Sequence, residues 1–82
     1  MRLWLLRPCE LLPDQYSPWS PWYDKNFGYV IRAETEARAR QMAQDNAADE
    51  GGSAWIDPRY SSCVELTSDG DEAVIIIDHA AA

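Results

Sequence analysis

The sequence predicts one α+β domain spanning residues 1–82: a four-stranded, mainly antiparallel sheet in the order β-β-α-β-β, with one helix packed on one face. Three observations carry this expectation. Residues 28–50 read as a strand that turns directly into a single amphipathic helix, closed by Gly51-Gly52. The run 2–7 is apolar on both of its alternating faces, as a strand in the middle of a sheet is. Ser68-Asp69-Gly70-Asp71 reads as an Asp-Gly hairpin turn between two strand-like runs, 61–67 and 73–78. A chain of 82 residues buries only about 60–65% of its unfolded surface, so it supports one core.

Taken in order, the first strand puts Trp4 and Leu6 on one face and Leu3 and Leu5 on the other, and Pro8 ends it. Residues 9–27 hold Pro13, Pro18 and Pro21 in a near-repeat, Ser17-Pro18-Trp19 and Ser20-Pro21-Trp22. Proline excludes helix and central strand there. The aromatics Tyr16, Trp19, Trp22, Tyr23 and Phe27 argue for an ordered loop that packs on something.

Residues 28–33 form the second strand, with Tyr29, Ile31 and Ala33 on one face and Val30 and Arg32 on the other. Glu34 or Thr35 then caps the helix, and Thr35 is the better N-cap because its hydroxyl can accept from a free first-turn N–H. Glu34–Arg38 and Glu36–Arg40 are (i, i+4) pairs with the acid first. The inward stripe is Ala39, Met42, Ala43, Asn46 and Ala47, small enough to lie close to a sheet. Trp55 packs under the helix end, and Asp57-Pro58 makes a turn. Residues 61–67 are the third strand, with Val64 and Leu66 facing the core. Residues 73–78 are the last strand, apolar on both faces and therefore central, and 79–82 form a frayed tail. Whatever covers the second face of this sheet is either the aromatic loop, which is favoured, or a second subunit.

The charge is lopsided. Net charge is −7, yet residues 1–40 carry six basic and five acidic side chains, whereas residues 41–82 carry one and nine. Such a field repels nucleic acid and anionic lipid and attracts basic protein surfaces. No run is long enough for a membrane span or a signal h-region, so a cytoplasmic protein is expected. Asp45, Asp49 and Glu50 crowd the negative end of the helix without a nearby cation. Each well-placed charge there costs about 0.3–1 kcal/mol, so this end reads as a solvated acidic face or as a contact surface for a basic partner.

Little here points to a reaction. Cys9 and Cys63 read as ordinary thiols, without the second Cys or His at metal-ligand spacing. Cys63 could act as a nucleophile only with His79, the single histidine. Gly51-Gly52 follows a helix rather than opening one, which excludes a phosphate loop. Asp69-Gly70-Asp71-Glu72 is too short for a twelve-residue calcium loop and reads as a polar turn. No catalytic, cofactor or metal residue is therefore assigned.

Trp22-Tyr23-Asp24, Gly28-Tyr29-Val30 and Ala33-Glu34-Thr35-Glu36-Ala37-Arg38, with Asp49-Glu50-Gly51, Trp55-x-Asp57-Pro58 and Cys63-x-Glu65-Leu66, resemble the recurrent pattern of small acidic proteins encoded by bacteriophages and prophages. That resemblance covers most of the chain and carries structural rather than catalytic motifs. It implies a bacterial host cytoplasm and, by analogy of class, an inhibitor of host defence of the anti-CRISPR kind. The expected function is thus a non-enzymatic protein-binding module that occupies a basic, nucleic-acid-binding protein surface. Trp19, Trp22 and Tyr23 would be its anchors, and Asp45, Asp49, Glu50, Asp57, Asp69, Asp71 and Glu72 its acidic contacts. The partner is a protein, with no direct nucleic acid, membrane or cofactor. The alternatives are a structural or accessory phage protein, for instance a homodimer through the bare sheet face, and a small Cys63/His79 hydrolase.

Overall fold

The structure, a computed structural model, describes residues 1–9, 18–19 and 25–77. Four elements follow in sequence: strand β1 (Arg2–Pro8), strand β2 (Tyr29–Ala33), helix α1 (Glu36–Asp45) and strand β3 (Ser61–Leu66). The sheet order is β2-β1-β3, and β1 is antiparallel to both neighbours. Trp4 lies opposite Ile31 on one side and Glu65 on the other, and Leu6 lies opposite Tyr29 and Cys63. β1 is thus central, as its two apolar faces require. β2 and β3 run parallel to each other with β1 between them, so α1 is the crossover of a split β-α-β unit.

Local chemistry accounts for α1. Thr35 has extended backbone angles, and its Oγ1 accepts from the Arg38 amide at 3.2 Å, which satisfies one orphan donor of the first turn. Ala39 and Ala43 are completely buried against the sheet, and Met42 and Ala47 pack at the margin. Small side chains let the helix axis approach, leaving Trp4, Leu6, Ile31 and Trp55 to fill the layer between helix and sheet. Trp4 seals that layer by donating its indole N–H to the Ala33 carbonyl at 3.0 Å.

Several expectations need correction. Among the described residues the sheet has three strands, not four: residues 73–77 form no strand and are exposed throughout. A two-residue type I′ hairpin turn needs positive φ at both central residues. Asp69 lacks it, since every described residue with positive φ is a glycine, and Gly70 alone does not close the turn. Both flanks of β1 are also already occupied. β3 is out of phase with its expected orientation by one residue. Ser61 and Cys63 face α1, while Val64 lies on the open side, and a one-residue slip exchanges every side chain between faces.

The helix also stops earlier than Gly51-Gly52. Asn46 turns its Nδ2 back to the Met42 carbonyl at 2.8 Å and ends α1 there. Asn46 itself is exposed rather than part of the inward stripe.

Arg40 replaces it as a buried helix residue. Its Nε meets Glu36 Oε2 at 2.9 Å, Nη1 donates to the Trp55 carbonyl and Ser61 Oγ, and Nη2 donates to the Ser61 carbonyl at 3.1 Å. One guanidinium therefore ties α1 to the start of β3, while the second expected pair, Glu34–Arg38, is not formed. Removing this fork strands two buried carbonyls and a buried hydroxyl. Arg40→Ala is expected to cost about 3 kcal/mol in urea unfolding, and Arg40→Lys to recover less than half, because an ammonium cannot match the planar geometry.

Candidate functional site

The acidic end of α1 is built from the segment that follows it. After Asn46 the chain folds back under the helix, and Gln44 fixes the return: its Nε2 donates to the Gly51 carbonyl at 2.9 Å and its Oε1 accepts from the Trp55 amide at 3.0 Å. Gly51 adopts φ +81, a left-handed conformation that favours glycine. These bonds carry Trp55 into the core, where Trp19 and Tyr29 meet its ring edge-on at centroid distances of 5.2 and 4.9 Å.

Glu50 sits at the centre of this junction and is 2% exposed. Its Oε2 accepts from Trp55 Nε1 at 2.7 Å, and its Oε1 accepts from the amides of Ala48 at 3.1 Å and Asn26 at 3.2 Å. Three N–H donors satisfy the buried carboxylate. The Trp19 indole N–H binds the Asn26 carbonyl at 2.7 Å, and Asn26 Nδ2 donates to the Tyr29 hydroxyl and the Asn46 carbonyl. The Tyr29 phenol is pushed up by burial and by the nearby Glu50 charge, partly opposed by its Asn26 hydrogen bond.

The structure therefore divides the expected contact residues into distinct sets. Trp19 and Glu50 are internal, which corrects their assignment as surface contacts: one is a core ring and the other a buried clasp. Trp22, Tyr23 and His79 lie outside the described residues. Asp45 and Asp49 are exposed beside the end of α1, where the last turn holds no basic residue, and Asp45 accepts only from Gln41 Nε2 at 2.7 Å. Asp57 is engaged by the Arg59 side chain at 2.7–3.2 Å, and that guanidinium and amide hold its carboxyl below the usual range. Asp69, Asp71 and Glu72 are exposed but follow Leu66, which pairs with Leu3 at the opposite end of the sheet from Ser61 and the end of α1. β1 separates the two ends by about 20 Å.

Cys63 lies half-buried on the α1 side, and burial pushes its thiol up, partly opposed by Arg40. A nucleophilic cysteine needs the opposite shift. Among the described residues no His, Cys, Asp and Glu side chains group as a metal site, and no helix is long and apolar enough to cross a membrane. Nothing in the residue types marked Asn26 or Arg40 in advance as junction residues. Their roles come from contacts across 15 to 24 positions.

The fold and this surface define a small α+β domain with a split β-α-β crossover and an acidic helix end. Compared with known protein families, with curated proteins and with solved structures, the chain matches none of them.

Two outcomes test the junction. Glu50→Gln puts an amide N–H₂ against N–H donors and is expected to cost about 2 kcal/mol, whereas Asp49→Asn changes stability by less than about 0.5 kcal/mol in either direction; chemical denaturation reads both. Both titrating side chains here, Cys63 and Tyr29, are raised in the folded state. The native state then holds protons that the unfolded chain releases, so the stability contributed by these two groups is complete below about pH 8.5 and declines as the pH rises. Thermal melts across the alkaline range are expected to show this fall, and Cys63→Ala to remove its first part.

Proposed function

We propose that this chain is a protein-binding module, not an enzyme, and that it presents the acidic end of α1 to a cationic protein surface. The observation that carries this reading is the contrast within one short stretch. Glu50 is drawn inward and consumed by the fold. Asp45 and Asp49 stay exposed at the negative end of the helix, with no cation in its last turn. Two charges kept where the macrodipole disfavours them are a cost that a basic partner removes on binding.

The partner class follows from this chemistry. A surface rich in Lys and Arg is commonly one that holds nucleic-acid phosphates. Together with the resemblance to small acidic phage-encoded proteins, it makes an inhibitor of a host nucleic-acid-handling complex the preferred role, of which CRISPR-type defence is one instance. Asp69, Asp71 and Glu72 are exposed in the segment after Leu66, which lies at the opposite end of β3 from Ser61, so the reading rests first on Asp45 and Asp49.

Capture of partners from bacterial lysate by the tagged chain tests it. A bound protein is expected at low salt and released at high salt, because exposed charges are screened over about 10 Å at 0.1 M. Asp45→Asn with Asp49→Asn is expected to weaken that binding about tenfold while leaving the fold unchanged. Glu50 is excluded from the set because its loss would unfold the site. Retention of every partner by the double variant at all salt concentrations would overturn the reading.

A further inference from the structure

Among the described residues, the face of the sheet turned away from α1 is only partly covered. By register, Leu3 and Leu5 of β1 share it with Val30 and Arg32 of β2 and with Val64 and Leu66 of β3. Leu3 is 38% exposed, Val30 58% and Val64 56%. From the long loop between β1 and β2, expected to close this face, Trp19 lies on the opposite side, in the α1 layer against Trp55, and Trp22 and Tyr23 lie outside the described residues. What does reach the face is the run 73–77. Ile76 joins Leu5, Phe27 and Val30 around an open cavity of about 370 Å³.

The run lies there without being buried: Val74, Ile75, Ile76 and Ile77 are 74%, 64%, 45% and 74% exposed. Face and run together leave on the order of 700 Å² of side chain open to water, close to what one partner contributes to a standard interface and above the largest apolar patch of a typical monomer. Four consecutive β-branched residues without a strand partner are also a combination that soluble chains normally conceal.

We propose that this surface is the interface of a symmetric homodimer, with the open sheet face and the run 74–77 of one copy packed against the same elements of the other. The charges around it select a second copy over another partner. Arg32 projects from the face itself, and Asp69, Asp71 and Glu72 lead directly into the run. A copy related by a two-fold axis brings both signs to both halves, as a self-complementary interface requires. A uniformly basic or acidic partner meets like charge on one side. Asp45 and Asp49 lie outside the interface, beside the end of α1. The dimer stands or falls independently of the acidic helix end.

Sedimentation velocity over a wide concentration series at physiological salt tests it. The 9.3 kDa chain is expected to sediment as a dimer at high concentration and to dissociate on dilution. Val64→Lys and Ile75→Asp, both at positions already in water, are each expected to raise the dimer dissociation constant roughly 30-fold or more, with unchanged circular dichroism and the melting temperature of the wild-type chain diluted to its monomer. Using two variants keeps the test valid if one fails to fold. Asp45→Asn with Asp49→Asn is expected to leave the dimer intact. A chain that is monomeric at every concentration overturns the proposal, as does a dimer that survives both interface substitutions.

Discussion

The arrangement of this small domain depends on one buried carboxylate. Glu50 gathers donors from three parts of the chain: the amide of Asn26 ahead of β2, the amide of Ala48 just past α1, and the indole of Trp55 in the return segment. None of these has a regular ladder to join, because each lies at a strand or helix end. Without the carboxylate the Trp55 ring could still be buried for its area, but its N–H would lack a partner in the core. Aromatic packing supplies the energy of the junction, and Glu50 supplies its geometry. The edge-on contacts of Trp19 and Tyr29 with Trp55 follow from where that indole is pinned.

A second junction works on the same principle at the start of β3. Arg40 caps the Trp55 and Ser61 carbonyls from the helix, so the return segment is held by Glu50 at the Trp55 side chain and by Arg40 at the Trp55 backbone. The two ions are opposite in sign and satisfied by different groups. Irregular chain thereby becomes a fixed spacer between α1 and β3. Fifteen residues lie between the last helix residue and Ser61, and they are ordered by polar contacts as well as by the burial of Ala54 and Trp55. One consequence lies in the surface: the ionic groups that organise the interior are spent there, while Asp45 and Asp49 remain outside with no cation in the last turn of α1.

Much of this was legible in the residues. The two-sided apolarity of 2–7 placed β1 in the middle, the Thr35 cap and the alanine spacing fixed the start and buried face of α1, and Trp55 was readable as core. The misses share a cause, which is that pattern rules price a residue by its neighbours in sequence. Glu50 looks like one more surface acid at a helix end until the Trp55 indole arrives from five residues on and Asn26 from twenty-four residues before. Residues 61–66 alternate ambiguously, and the phase was decided by Arg40 demanding Ser61 on its own side. The run 73–77 has strand propensity, but propensity cannot supply a turn with the right backbone angles to return it along β3. Of the proposed contact surface, Asp45 and Asp49 were visible as misplaced charge, whereas the separation of the later acids to the other end of the sheet required the topology.

The position of β1 has a consequence for how the chain comes together. The strand made first is the one that must end up in the middle, with Leu3 opposite Arg32 on one flank and Leu66 on the other. A ribosome has to deliver most of the polypeptide before the second flank exists. Until then the earliest product is at best a two-stranded ribbon with a bare backbone edge. Closing it brings together positions more than sixty residues apart, a slow step by loop-closure entropy. During synthesis the molecule is therefore most vulnerable at its first strand, whose open edge invites the wrong chain until its own third strand arrives.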